Sequence, residues 1–259
     1  MSHHKHSHHD VAFGIDIGGS GIKGAPVDLH KGEFAADRLR IPTPQPATPA
    51  AVAKTVAEIV DSFDLDKKVP IGVTFPAVML HGVAQSAANV DKSWIGTDAQ
   101  KLFSDATDRT VVAVNDADAA GFAEVAYGAA KDVDGVVLVV TLGTGIGSAL
   151  IVDGQLVPNT ELGHLEIDGH DAESRAAESV RDREGLDWEQ WAQRLQRYFT
   201  VVENLFWPDL IVVGGGVSKH HKDFLPLLDI RTKIVPAELR NAAGIVGAAA
   251  LAAQEDDDD

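Results

Sequence analysis

With 259 residues, 45% of them hydrophobic, the chain can bury the core of one or two globular domains. Its net charge of −17, from 22 Lys and Arg against 39 Asp and Glu, excludes general affinity for nucleic acid or an acidic membrane surface. No apolar run approaches the ~18 residues of a membrane span. Cysteine is absent, which excludes disulfides and thiolate metal sites, and a cytoplasmic location is expected.

Residues 1–10 form a His-rich leader, unlike the basic-then-apolar pattern of a secretory signal, and are expected to lie outside the fold. The first strand, Val11 to Ile15, passes through Asp16 into Gly18-Gly19-Ser20-Gly21-Ile22-Lys23-Gly24. Glycine lets the backbone approach a polyanion closely and turn several N–H groups toward it, so this turn is a candidate phosphate cradle. The P-loop pattern is not met, because Lys23 is followed by Gly24 rather than by Ser or Thr. Gly19, Gly21 and Gly24 satisfy the spacing of the dinucleotide fingerprint, but Ala25-Pro26-Val27 reads as a second strand where that fingerprint needs a helix. The segment is a hairpin suited to gripping phosphate.

Four prolines between Ile41 and Pro49 predict a stiff, extended linker, or a segment lying along a chain-like ligand. Thr48 then caps a helix with Pro49 in its first turn, and Val52, Val56, Ile59, Val60 and Phe63 recur at helical spacing as its core face. Val69 to Phe75 is the next strand. In the polar stretch Asn89–Trp94, Asn89 and Lys92 are open to ligand or to solvent. The short strand Val111–Val114 delivers Asn115-Asp116 to a helix running from Ala117 to Tyr127. An acid at the carboxyl end of a buried strand is where α/β folds place catalysis, although Asp116 would serve equally as the helix cap.

A second apolar strand, Gly135–Thr141, enters Leu142-Gly143-Thr144-Gly145-Ile146-Gly147 and leaves as another strand. Gly19-Ser20-Gly21-Ile22 and Gly143-Thr144-Gly145-Ile146 share one pattern, an internal repeat too long for a solenoid, which predicts two related domains each offering a phosphate hairpin to one cleft. Pro158 to Glu173 is dense in groups able to bond sugar hydroxyls, and its His and carboxylate spacing matches no zinc pattern. Asp187 and Gln190 form a capping box for a helix with the stripe Trp188, Trp191, Leu195, Tyr198, Val202 and Leu205, which is core or a subunit contact. The strand Leu210–Val213 meets Gly214-Gly215-Gly216, a third glycine turn suited to a nucleoside or further phosphate. Lys219, His220, His221 and Lys222 follow as the most basic patch in an acidic chain. An alanine-rich helix, Asn241 to Ala253, has Gly244 and Gly247 for close packing, and residues 255–259 are an acidic tail.

Two phosphate hairpins, Asn115-Asp116, Glu161-Leu162-Gly163-His164 and Gly214–Gly216, in this order, make the chain resemble the ROK sugar kinases of the actin-like, ribonuclease-H-like ATPase superfamily, from Val11 to Ala253. Residues 43–49, 89–96 and 158–165 are similar to those of the actinobacterial polyphosphate glucokinases. The resemblance implies an α/β fold with two ribonuclease-H-like domains flanking a catalytic cleft. The expected division is a small N-terminal domain of residues 11–114 plus 241–254 and a larger one of 115–240. It implies phosphoryl transfer from polyphosphate, and also ATP, to the 6-hydroxyl of glucose, with Mg²⁺ as cofactor and a homodimer as the assembly. Asp116 would be the general base. Asn89, Asn115, Glu161 and His164 would hold the sugar, with Glu173 as the match to a further sugar-binding glutamate. Asp16 would place Mg²⁺ through water, while Gly18, Gly19, Ser20, Gly21 and Lys23, then Thr141, Gly143, Thr144 and Gly145, cradle phosphates. Gly214, Gly215 and Gly216 would flank a nucleotide, and Lys92, Lys219 and Lys222 are the candidate track for a polyphosphate tail. The family's cysteine-rich zinc motif has no counterpart, so no structural zinc is expected. The rivals are a strictly ATP-dependent glucokinase or glucomannokinase, a sugar-sensing ROK regulator, and an actin-like ATPase without a sugar substrate. The regulator would need a helix-turn-helix domain before Val11, and Glu161 and His164 speak against the ATPase.

Overall fold

A computed structural model describes residues 9–87 and 90–258. The chain divides into two compact units: a terminal unit running to Ala123 and resuming at Ala242, and a middle unit, Glu124–Asn241. The terminal unit contains β1 (Val11–Gly18), β2 (Gly21–Asp28), β3 (Glu33–Phe34), β4 (Leu39–Ile41), α1 (Pro49–Asp61), β5 (Ile71–Phe75), the ribbon β6 (Met79–Leu80) and β7 (Val83–Ala84), α2 (Ala99–Thr107), β8 (Val111–Asn115) and the start of α3 (Asp116–Tyr127). The middle unit contains β9 (Val136–Leu142), β10 (Ile146–Val152), β11 (Gln155–Val157), the ribbon β12 (Glu166–Ile167) and β13 (His170–Asp171), α4 (Glu173–Ala176), α5 (Glu178–Glu184), α6 (Trp188–Phe206), β14 (Leu210–Gly214), α7 (His221–Phe224) and β15 (Lys233–Pro236). Helix α8 (Ala243–Asp258) returns to the terminal unit.

The division falls inside α3 rather than after residue 114, and the terminal unit is the longer one. Ala119, early in α3, packs so closely on α8 that a Cβ on Gly247 would run into its carbonyl. Further along, the buried Glu124 carboxylate accepts the N–H groups of Ala129 (2.8 Å), Glu238 (3.1 Å) and Leu239 (2.8 Å), tying that end of the helix to the middle unit. Three backbone donors compensate the desolvation of one buried carboxylate.

Both units build the same sheet. The terminal unit orders its strands β3-β2-β1-β5-β8, with β4 also on β2; the middle unit orders them β11-β10-β9-β14-β15. In each, a glycine hairpin joins the central strand to an antiparallel neighbour, and two parallel strands follow on the other side. The repeated G-[ST]-G-I is therefore the visible part of a repeated supersecondary unit. Parallel strands need both faces covered, and β5 and β14 are buried at every residue.

On the terminal sheet α8 packs directly against the backbone. Gly14 and Gly72 are register partners on β1 and β5, and a Cβ on either would run into the carbonyl of Ile245 or Ala248. The alanine-rich composition of α8 answers this close approach, with Ile245, Val246, Ala248, Ala249, Ala252 and Ala253 all buried. Helix α1 starts at Pro49 with Thr48 accepting from the Ala51 N–H, and Val52, Val56, Ile59 and Val60 are buried as their spacing predicts. The stretch around Lys92 is not simply a polar loop. Trp94 is fully buried between Phe75 (ring centroids 4.2 Å apart) and Phe103 (5.9 Å), and its indole N–H donates to the Ala47 carbonyl at 2.9 Å. The proline-rich segment is thereby fastened to the unit.

In α6 the capping box of Asp187 and Gln190 forms, and Trp191, Leu195, Tyr198 and Val202 are buried, so the stripe is core. Leu205, its last member, is 59% exposed. Helix α2 and the ribbons β6–β7 and β12–β13 carry no periodicity long enough to announce them. Among the described residues no helix is long and apolar enough to cross a membrane.

Candidate active site

In the terminal unit the candidates gather at the carboxyl edge of β1, β5 and β8, whose registers set Asp16 beside Thr74 and Phe75 beside Asn115. Asp16 Oδ1 accepts the Thr74 hydroxyl at 3.1 Å, and its Oδ2 meets Lys23 Nζ at 3.1 Å across the β1–β2 hairpin. Lys23 is in turn the register partner of Arg40 on β4. The Arg40 guanidinium donates to the Ser20 carbonyl at 2.7 Å and occupies the space over Gly21 that a side chain would need. Arg40 is a cation on the first glycine turn that no motif marks; only strand pairing brings it there. Thr43 donates to the Gly18 carbonyl at 2.5 Å, so the proline-rich segment supports the turn as well as linking elements. Gly19 and Ser20 are exposed at the tip.

Asn115 and Asp116 divide the two roles between them. Asn115 Oδ1 accepts the N–H groups of Ala117 (2.8 Å) and Asp118 (3.0 Å), while its Nδ2 donates to the Ala77 carbonyl at 3.0 Å. It is the buried cap of α3. Asp116 shares the Ala117 N–H through Oδ1 (2.9 Å), but its side chain sits exposed on the first turn. Asn115→Ala removes the cap and leaves the Ala77 carbonyl unpaired; unfolding in urea is expected to show a loss of ~1–2 kcal/mol. Lys92 is exposed, and Asn89 lies outside the described residues.

In the middle unit Gly143, Thr144 and Gly145 turn between β9 and β10, with Gly143 N–H bonded to the Gly145 carbonyl at 3.0 Å. Ser179, in α5, holds the turn from outside. Its N–H donates to Gly143 (3.1 Å) and its hydroxyl to Thr144 (2.6 Å). Thr141 is half-buried in β9, the register partner of Gly214. Glu173, expected on the sugar, also serves the hairpin, because its Oε2 accepts the Ile146 N–H at 3.0 Å beneath Gly145.

Glu161 leads into a short 3-10 turn, Leu162–His164, seated by Ser148, whose hydroxyl accepts the Leu162 N–H at 3.0 Å. Gly163 must be glycine, since a Cβ there would meet the Ile146 carbonyl. His164 Nδ1 is 2.8 Å from Asp171 Oδ2 and 4.0 Å from Glu173 Oε1; its Nε2 is 3.9 Å from Glu161 Oε2. The hydrogen bond to Asp171, with added attraction from Glu173 and Glu161, holds the imidazole pKa above its ordinary value against the cost of desolvation. His164, Asp171 and Glu173 each bring one ligand atom within 4.8 Å of the others.

Gly215 has φ +85° and stands against the Leu142 backbone, so the third glycine turn packs on the second hairpin. Glu178 lies beside Gly216, and burial first, then Asp182, pushes its carboxyl pKa up, while Lys219, Arg181 and His220 oppose this. Arg181 lies 3.7 Å over the Trp188 ring, and Lys219 and Lys222 are exposed. A cavity of about 420 Å³ lined by Asp168, His170, Arg175, Arg194, Arg197 and Tyr198, among others, contains none of the predicted site residues.

A family model described as the ROK family matches residues 12–180. A polyphosphate glucokinase of Mycobacterium tuberculosis is 53% identical over 238 residues, which cover 92% of this chain and 89% of that protein. The crystal structure of an inorganic polyphosphate/ATP-glucomannokinase from Arthrobacter sp. matches with a TM-score of 0.91 at 56% identity, over 95% of this chain and 100% of the other. A ROK family glucokinase from Streptomyces griseus, in complex with glucose and AMPPNP, shares the fold at a TM-score of 0.77 and 23% identity, over 94% of this chain and 99% of the other. With one hairpin-bearing sheet built twice and a family match over most of its length, this chain belongs to the ROK family.

Proposed function

We propose that this chain transfers a phosphoryl group from inorganic polyphosphate, and also from ATP, to the 6-hydroxyl of glucose, giving glucose 6-phosphate. What carries the reading is the identity above one half, over 92% and 95% of the chain, to two kinases named for polyphosphate. The two units are then the ribonuclease-H-like halves of an actin-like ATPase, in a chain that assembles as a homodimer.

Phosphoryl transfer passes through a loose transition state, so the protein's work is alignment and charge neutralisation rather than covalent chemistry. Asp116, exposed at the strand edge while Asn115 holds the helix start, takes the proton of the 6-hydroxyl. Glu161 and His164 hold sugar hydroxyls, and the N–H groups of the two hairpins meet phosphate oxygens. The Asp16 carboxylate keeps acceptor capacity beyond its bonds to Lys23 and Thr74, and so fits Mg²⁺ held through water. The ion would supply charge neutralisation on the transferring group. Arg40 and Lys23 add fixed positive charge at the first turn. Asn115 acts chiefly through Asp116, as the cap that presents it, and Glu173 chiefly through the second hairpin.

The test is glucose 6-phosphate formation with Mg²⁺, with long-chain polyphosphate and ATP at matched phosphoryl concentration. Turnover with both is expected; turnover with ATP alone would leave a strictly ATP-dependent kinase, and no product from either would remove the reading. Mannose in place of glucose separates a glucokinase from a glucomannokinase. For the tail of the donor, the candidate track is exposed Lys219 and Lys222 in the middle unit, or exposed Lys92 in the terminal unit. Lys219→Ala with Lys222→Ala is expected to lower kcat/KM for polyphosphate about 3–10-fold more than for ATP at low salt, with the gap narrowing as salt screens it. Equal losses for both donors would remove the track.

A further inference from the structure

The ribbon β12–β13 is built to hold one carboxylate. Its register sets Glu166 opposite Asp171, and the Ala172 N–H donates to the Leu165 carbonyl at 2.9 Å, so Asp171 arrives beside the turn that carries His164. At the ribbon's tip, Asp168 and Gly169 take φ of +53° and +76°. The Asp168 carboxylate there accepts Nε and Nη2 of Arg197 on α6, both at 2.8 Å. At its base, Ser174 donates its N–H to Asp171 Oδ1 (3.4 Å) and its hydroxyl to the Asp171 carbonyl (2.6 Å). The remaining oxygen, Oδ2, lies 2.8 Å from His164 Nδ1. An ionised carboxylate only accepts hydrogen bonds, so this contact requires the proton on Nδ1.

With Nδ1 so engaged, His164 presents Nε2, which no described residue hydrogen-bonds. It lies 3.9 Å from Glu161 Oε2, and since both atoms are then acceptors the pair suits two neighbouring hydroxyls. We propose that Asp171 is a positioning residue for the sugar: its carboxylate fixes the Nδ1-protonated form and the ring orientation of His164, so that Nε2 accepts from one sugar hydroxyl while Glu161 accepts from its neighbour. This rests on the reading of His164 as a sugar contact. The arrangement follows the logic by which a carboxylate on one imidazole nitrogen sets the tautomer and aim of the other. As an ordinary half-exposed ion pair, the contact would have no bearing on sugar binding.

The measurement is glucose KM and kcat for Asp171→Asn and His164→Ala, singly and together, with nitrogen NMR of the imidazoles. The Asn amide offers either an oxygen or an NH₂ to Nδ1, so the tautomer is no longer imposed. Asp171→Asn is expected to raise glucose KM about tenfold, with kcat at saturating sugar within about twofold, as for a lost ground-state contact. The signal that disappears in His164→Ala is expected to report a protonated Nδ1 in the parent and a mixture in Asp171→Asn. In the double variant the two KM effects are expected not to add. If His164→Ala raises KM and Asp171→Asn leaves both KM and tautomer unchanged, or if the effects add, the positioning role is overturned while the sugar contact stands. If His164→Ala leaves KM unchanged, the sugar contact itself fails, and the role of Asp171 with it.

Discussion

Asp116→Asn is expected to lower kcat by about 10²–10⁴-fold, the range for loss of a positioned general base, with glucose KM changed by less than about threefold. The substitution removes a proton acceptor, while the Asn side-chain oxygen can still accept the Ala117 N–H. Asn115, not Asp116, caps α3 and pins the Ala77 carbonyl, so the helix start keeps its hydrogen bonds. The loss of one negative charge on the first turn costs ~0.3–1 kcal/mol through the helix dipole, too little to unfold the chain. The check is steady-state formation of glucose 6-phosphate beside a urea unfolding curve of the same variant. Near-normal turnover in a folded variant would remove Asp116 as the base, and a raised KM with unchanged kcat would make it a sugar ligand only.

Gly72→Ala is expected to cost ~3 kcal/mol or more, at or above the upper end of overpacking costs, because the added methyl meets a carbonyl of α8 and not a movable side chain. Gly14 beside it faces the Ile245 carbonyl in the same way, so the sheet cannot relieve the strain by shifting toward its neighbour. Gly19→Ala is the matched control. A Cβ there would meet nothing within 4 Å, so its stability is expected to stay within ~0.5 kcal/mol of the parent. Urea midpoints and slopes of the two variants decide. A Gly72→Ala midpoint equal to that of Gly19→Ala would mean that α8 does not lie on β5 as described.

Strong local codes were legible in the chain. The strand–glycine–strand repeat, Thr48 and Pro49 at the start of α1, and the Asp187–Gln190 capping box all state their structure within a few residues, since caps and tight turns are satisfied by near neighbours. The order of the two glycine hairpins, Asn115-Asp116, Glu161-Leu162-Gly163-His164 and Gly214–Gly216 along the chain was enough to place it in its family. Less was legible where two neighbours compete for one role. Asn115 and Asp116 both suit a helix cap, and the choice depends on the Ala77 carbonyl 38 residues away. Glu173 looked like a sugar ligand, yet an oxygen of its carboxylate is used by the Ile146 N–H.

The pair of related sheets, the positions of their glycine turns and the candidate carboxylate at the end of β8 are written in the chain itself. These follow from apolar periodicity, glycine spacing and capping, which act over one or two turns of chain. Tertiary structure alone decided that Arg40 covers the first turn, that Trp94 is core in a polar stretch, that Gly14 and Gly72 are glycine because α8 lies on them, and that Asp171 meets His164. In each of these the partner comes from a separate element, set by strand pairing or helix packing, and no local pattern encodes which one arrives.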